Sequence, residues 1–239
     1  VRHIRIITET LLHRLMELTS RYELTPEQQD NIPLASALHD IGKIGIDEAI
    51  LNKPGKLTAE EFAVIKTHSM LGAEMLHKTE NFAEQPLLQT AYEIARWHHE
   101  RWDGKGYPDG LKGDDIPISA QLVSMADVYD ALTSERCYKK AFPHETAVQM
   151  ITDGECGAFN PLLIQCLLDA YHEVTGLPRE CLSTGGGTYA KCLDEGVAFG
   201  CVFPGEEELA HQANEYITLD SMMKNVRIIA HAIEKLAGE

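Results

Sequence analysis

Apolar positions recur at helical spacing from the start of the chain. Ile4, Ile7, Leu11, Leu12, Leu15 and Leu18 form one stripe, which predicts an amphipathic helix. No capping residue precedes the stripe, so the pattern predicts a native chain that extends upstream of Val1. Thr25-Pro26-Glu27 caps and opens a second helix, predicted to run through Ile32, Leu34 and Leu38 to His39. Asn52-Lys53-Pro54-Gly55 is a turn, and Thr58 with Glu61 makes a capping box for a helix reaching about Leu76. Further helices are predicted over about 84–100, 118–135, 143–152 and 160–173. Strand-like alternation is sparse in this region, which therefore reads as a mainly α helical bundle. The loop 103–117 carries four glycines and two prolines. A connection that long needs a conformational or binding reason.

The pattern changes after Tyr171. A Gly-Gly-Gly turn at 185–187, a short apolar run at 196–200, a Pro204-Gly205 turn and a final helix from about Leu219 to Leu236 predict a small α/β-like segment. This divides the chain into domains at 1–172 and 173–239. A length of 239 residues, 44% hydrophobic, suits one substantial core with an appendage. No run approaches the roughly 20 apolar residues of a membrane-spanning helix, and no basic-then-apolar leader opens the sequence. Six cysteines without a CxxC pair read as reduced thiols, so the expected compartment is the cytoplasm. The net charge of −16 argues against a DNA-binding groove. A small phosphorylated ligand remains compatible, because bound metal ions can supply the missing positive charge.

The candidate chemistry lies at the ends of the predicted helices. His39-Asp40 closes an apolar helix; His68 follows 28 residues after Asp40, His98-His99 another 30 on, and Asp127 a further 28. Adjacent His and carboxylate side chains let one helix end touch two metal ions, and ligands on separate helices can converge inside a bundle. Taken singly, each residue has an ordinary explanation as a core histidine or a helix-face carboxylate. Together they are costly to bury unless they pair or bind metal.

The order His39-Asp40, Lys66-Thr67-His68, His98-His-Glu-Arg-Trp-Asp-Gly-Lys-Gly-Tyr-Pro-Asp-Gly110 and Ala126-Asp-Val-Tyr-Asp-Ala-Leu-Thr-Ser134 resembles the HD-GYP family of cyclic di-GMP phosphodiesterases, over about residues 1–170. The resemblance implies an HD-domain bundle whose metal ligands are His39, Asp40, His68, His98, His99 and Asp127, with Asp40 bridging and His3 as a further ligand. It implies two divalent ions that activate water for attack on phosphorus, with Asp40 and Lys43 catalytic. A third ion would need a glutamate that falls before Val1. Iron or manganese is favoured by the resemblance and zinc fits the same ligands. Tyr107, Arg136 and Lys139 are implied substrate contacts, Arg136 and Lys139 sharing one face of a helical continuation. Gly104, Gly106 and Gly110 are expected to permit the tight path of the loop. Another implied role for the loop is docking a diguanylate cyclase domain. Other cyclic dinucleotides or nucleotides, and a silent binding module, are the alternative readings.

The tail, with Thr184-Gly-Gly-Gly-Thr-Tyr-Ala-Lys191, Phe203-Pro-Gly-Glu206 and His211-Gln-Ala-Asn-Glu-Tyr-Ile217, resembles the C-terminal end of zinc dipeptidases of the carnosinase and aminoacylase type. There His211 would be a metal ligand. The other ligands that family needs have no counterpart here, so no peptidase activity is expected. The tail is expected to lie disordered, to pack on the bundle or to drive a homodimer through its strand edges.

Overall fold

The computed structural model describes residues 2–134 and 141–176. The expectations for the C-terminal turn, strand and helix, and for His211, fall outside the described residues. Within them every regular element is helical, as the periodicity predicts. The described residues through Glu173 belong to one compact unit.

Helix α1 (Arg2–Leu18) buries Ile4, Leu11, Leu12 and Leu15. Leu18 stays 42% exposed, so the buried stripe ends one turn early. Helix α2 (Pro26–Ala35) starts with a complete capping box: Gln28 N–H donates to the Thr25 hydroxyl, and Thr25 N–H donates to the Gln28 side chain. It stops at Ala35 instead of running to His39. Pro33 removes one backbone donor, and the Ser36 hydroxyl donates to the Pro33 carbonyl at 2.7 Å. The chain then tightens into 3-10 turns at Ser36–Leu38 and Ile41–Gly45, with His39 and Asp40 at the joint between them.

A short α3 (Glu48–Leu51) precedes α4 (Ala59–Lys66), which opens on the predicted Thr58–Glu61 capping box. The single helix expected to reach Leu76 is two helices. The Thr67 hydroxyl bonds the Val64 carbonyl at 2.7 Å at the break, and α5 (His68–His77) restarts with His68 turned into the interior. Helices α6 (Pro86–Trp97), α7 (Ile118–Thr133), α8 (His144–Thr152) and α9 (Pro161–Thr175) lie where the pattern puts them. Helix α6 packs on α2, α5 and α7, and α1 packs on α2 and α7. Fully buried Ala91, Ala95, Ala120 and Ala126 let the backbones of α6 and α7 approach closely.

One contact sets the geometry of the site. The Ile41–Gly45 turn lies directly on α5, and a Cβ at Gly42 would sit 1.9 Å from the His68 carbonyl oxygen and 2.5 Å from the Gly72 nitrogen. Only a residue without a side chain fits there. That approach carries Asp40 to the first turn of α5.

Candidate metal centre

Asp40 is the point on which the histidines converge. Its Oδ1 lies 3.4 Å from His68 Nε2 and 4.0 Å from His98 Nε2. Its Oδ2 lies 3.3 Å from His39 Nε2 and accepts a hydrogen bond from Lys43 Nζ at 2.5 Å. Ligand-type atoms of Asp40, His68, His98 and His99 all fall within 4.8 Å of one another. His39 Nε2 is also 3.7 Å from Asp127 Oδ1, which brings α7 to the group.

The rings are aimed by their own helices. Nδ1 of His39 meets the Ser36 carbonyl at 2.8 Å, that of His68 meets Ile65 at 2.7 Å, and that of His98 meets Ile94 at 2.8 Å. A carbonyl only accepts, so each Nδ1 carries the proton, and a ring that is neutral presents the lone pair of Nε2. The Nε2 atoms of His68 and His98 then face each other at 3.5 Å with no proton between them. Two lone pairs beside a carboxylate fit a divalent cation, and the carbonyl contacts are the outer partners that such ligands use.

For His68, His98 and His99 the electrostatics favour the neutral ring. Burial pushes His98 well below the ordinary histidine range, and burial, with the charge of His68, pushes His99 down to about 3. Burial also lowers His68. For His39 burial acts downward, but the hydrogen bond and charge of Asp40 outweigh it and the net shift is upward. Burial raises the Asp40 carboxyl, and the opposing pull of His39 and Lys43 is larger, so it stays ionised far below the usual carboxylate range. The site offers His68, His98 and His99 as neutral imidazoles around the Asp40 anion, with His39 held against that anion.

The loop after α6 covers this cluster. The Tyr107 ring stacks on His99 with centroids 4.8 Å apart and planes at 27°, and its N–H donates to the His99 carbonyl at 3.2 Å. Burial, with the charges of Asp40 and Asp127, raises the Tyr107 phenol, which stays protonated. Gly104 and Gly110 have positive φ, as expected, whereas Gly106 is required for space: a Cβ there would lie 2.4 Å from Glu100 Cα. Buried Glu100 accepts N–H bonds from Asp109 at 2.7 Å and Gly110 at 3.0 Å, and burial raises its carboxyl. Asp109 accepts from Arg96 Nε at 2.8 Å and Trp97 Nε1 at 2.7 Å. Sequence reasoning did not assign roles to Glu100, Arg96 or Asp109. The signal available was their place within the His98–Gly110 run.

The predicted site residues divide clearly. His39, Asp40, Lys43, His68, His98, His99, Tyr107 and Asp127 come together. His3 is more than half exposed and its Nδ1 lies 3.3 Å from Asp130 Oδ1, one helical turn past Asp127. Arg136 and Lys139 lie outside the described residues.

Known proteins are similar to this chain in sequence and in fold. The chain is 47% identical over 162 residues to a probable cyclic di-GMP phosphodiesterase of Vibrio cholerae, a match covering 66% of this chain and 37% of that protein. It is 42% identical over 156 residues to the same organism's 3'3'-cGAMP-specific phosphodiesterase 2, covering 65% of this chain and 29% of that protein. The chain thus spans about a third of the length of these curated relatives. Among solved structures, Bd1817, an HDG"Y"P protein from Bdellovibrio bacteriovorus, matches with a TM-score of 0.51 and 24% identity over 71% of this chain and 51% of that one, a likeness of fold. The family described as HD domain matches residues 5–159, more than half of the chain and all of the converging ligands, so this chain belongs to the HD domain family.

Proposed function

We propose that this chain is a metal-dependent phosphodiesterase that hydrolyses cyclic di-GMP to the linear dinucleotide pGpG, to GMP or to both. The observation that carries the reading is the group of Asp40, His68, His98 and His99, with ligand atoms within 4.8 Å, beneath the Gly106-Tyr107-Pro108 loop. His39, Asp40, His68, His98, His99 and Asp127 would hold two divalent ions, and the motif resemblance adds His3 as a further ligand. Iron and manganese are favoured, and zinc suits the same donors. When bound, such ions supply Lewis acidity to the phosphoryl oxygens and lower the pKa of an attacking water.

The side chains do the rest. Nδ1 contacts to backbone carbonyls hold the rings so that no reorganisation is needed when charge develops. Lys43 bonds Asp40 through its ammonium and would meet a scissile phosphate. Tyr107 closes the site over His99 and would line the substrate pocket with Arg136 and Lys139. The 3'3'-cGAMP-specific relative, at 42% identity, supports a second reading in which the same centre takes a mixed cyclic dinucleotide.

Several finer readings accompany this one. The enzyme would work in the cytoplasm; among the described residues no helix is long and apolar enough to cross a membrane. A diguanylate cyclase domain would dock on the Gly106-Tyr107-Pro108 loop, and a second copy of the chain is the proposed oligomeric partner. The dipeptidase-like segment from 173 onward, including His211, would take no part in hydrolysis.

The test is turnover by protein purified without oxygen and supplied separately with iron, manganese or zinc, with the products resolved by chromatography. Formation of pGpG or GMP from cyclic di-GMP supports the reading and ranks the metals. Metal-loaded, folded protein that leaves cyclic di-GMP intact overturns it, and cleavage of 3'3'-cGAMP in its place selects the second reading.

A further inference from the structure

Lys66 ends α4, two residues before His68. Its ammonium lies 5.1 Å from the centroid of the Tyr107 ring and 4.8 Å from that of Phe62. His99 stacks on the same Tyr107 ring. His99, Tyr107, Lys66 and Phe62 thus form a stack leading outward from the histidine cluster. Phe62, at its outer end, is 47% exposed.

Lys66 is half-buried and has no carboxylate partner among the described residues. The other half-buried cations there do have one: Lys43 pairs with Asp40, Lys53 with Glu61, Arg14 with Glu17, Arg96 with Asp109 and Arg101 with Asp103. Partial burial of a cation is unfavourable without a compensating anion, and two aromatic faces compensate only in part. The arrangement lacks an anion at the mouth of a site that itself gathers carboxylates.

We propose that Lys66 receives the second, non-scissile phosphodiester of a cyclic dinucleotide while Phe62 offers a stacking face to one of its bases. This rests on the phosphodiesterase reading above. A cyclic dinucleotide carries two phosphodiesters, and the histidine cluster engages the one that is cut. The other keeps its charge throughout the reaction and requires a cation of its own. Among the described residues, Lys43 is already bonded to Asp40, whereas Lys66 is uncommitted and one aromatic ring away from His99. An exposed aromatic ring beside a phosphate-binding cation is a recurrent way to hold a nucleotide, because every base has a face to stack. Lys66 and Phe62 thereby act on substrate recognition, in a site whose chemistry is done elsewhere.

The experiment compares wild type, Lys66→Met, Lys66→Arg and Phe62→Ser, all metal-loaded, on cyclic di-GMP and on bis(p-nitrophenyl) phosphate, a diester with one phosphate. Lys66→Met is expected to raise KM for cyclic di-GMP roughly tenfold or more, with kcat changed by less than about threefold, the signature of lost uniform binding. The ratio of kcat/KM for cyclic di-GMP to that for the small diester should fall about tenfold as well, and Lys66→Arg should restore most of it. Phe62→Ser should raise KM by about threefold or more. An unchanged KM in Lys66→Met, or an equal loss on both substrates, overturns the proposal and leaves the phosphodiesterase reading standing. Wild-type protein that cleaves the small diester and no cyclic dinucleotide overturns both.

Discussion

Each buried histidine of the cluster is oriented by a carbonyl three or four residues behind it: Ser36 for His39, Ile65 for His68 and Ile94 for His98. The loop that covers them is anchored over longer separations and by side chains. Glu100 reaches the N–H groups of Asp109 and Gly110, nine and ten residues on, and Asp109 reaches Arg96, thirteen residues back. The aim of the rings is therefore written into helix backbone and changes only when helices move. The loop depends on carboxylates and can be loosened without unfolding the bundle. This difference predicts that lesions in the cluster act as all-or-none losses, whereas lesions in the loop act by degrees.

The largest effect should come from the point of convergence. Asp40→Asn keeps the shape of the side chain and removes the charge that faces His39, His68 and His98. Metal content after dialysis should fall to background and turnover should drop by roughly a thousandfold or more. Retained metal and rate would move the centre of the site to another carboxylate. Gly42→Ala comes next, because its Cβ would lie 1.9 Å from the His68 carbonyl oxygen. Separating the turn from α5 should cost about 3 kcal/mol, read as a fall in Tm of about 10 °C with a parallel loss of bound metal. If Gly42→Ala melts like wild type, the close approach is not what holds Asp40 in place.

The loop should respond more weakly. Glu100→Ala removes the acceptor of two backbone donors and is expected to cost about 1–2 kcal/mol. It should slow turnover by releasing Tyr107 from His99, with metal retained. Glu100→Gln keeps a carbonyl oxygen in reach of both N–H groups and should behave close to wild type. Loss of metal in Glu100→Ala would erase the distinction between cluster and loop.

How much of this was legible in the sequence follows the same division. Helical periodicity located the bundle, because burying a stripe every three to four residues is a local constraint. The spacing of His39, Asp40, His68, His98, His99 and Asp127 marked the cluster, because residues that bury badly alone stand out in apolar helices. The breaks at Ala35 and Thr67 were not legible, since each depends on a side chain bonding its own backbone against the helix pattern. Glu100 received no role from the sequence. Its role needs Gly106 packed against its Cα, a contact that only the folded loop creates. His3 stands apart from both: the motif resemblance marks it as a ligand, and its Nδ1 lies 3.3 Å from Asp130 Oδ1.

The smallest expected effect is also the most specific to the loop. The Asp109 carboxylate accepts from Arg96 and Trp97, and the Arg96 hydrogen bonds and charge hold its carboxyl below the usual aspartate range. A folded pKa below the unfolded one means that folding favours the ionised form. The stabilisation is therefore fully present above the unfolded value of about 3.9 and is lost as pH falls through the lower folded value. Because the pair is partly exposed, its worth should be about 1 kcal/mol or less. Asp109→Asn should thus melt slightly below wild type at neutral pH, and the gap should close under acid as the wild-type carboxyl takes up its proton. A gap of constant size from neutral pH through the acid range would mean that Asp109 acts through shape and not charge. The loop would then be held by packing and not by its carboxylate.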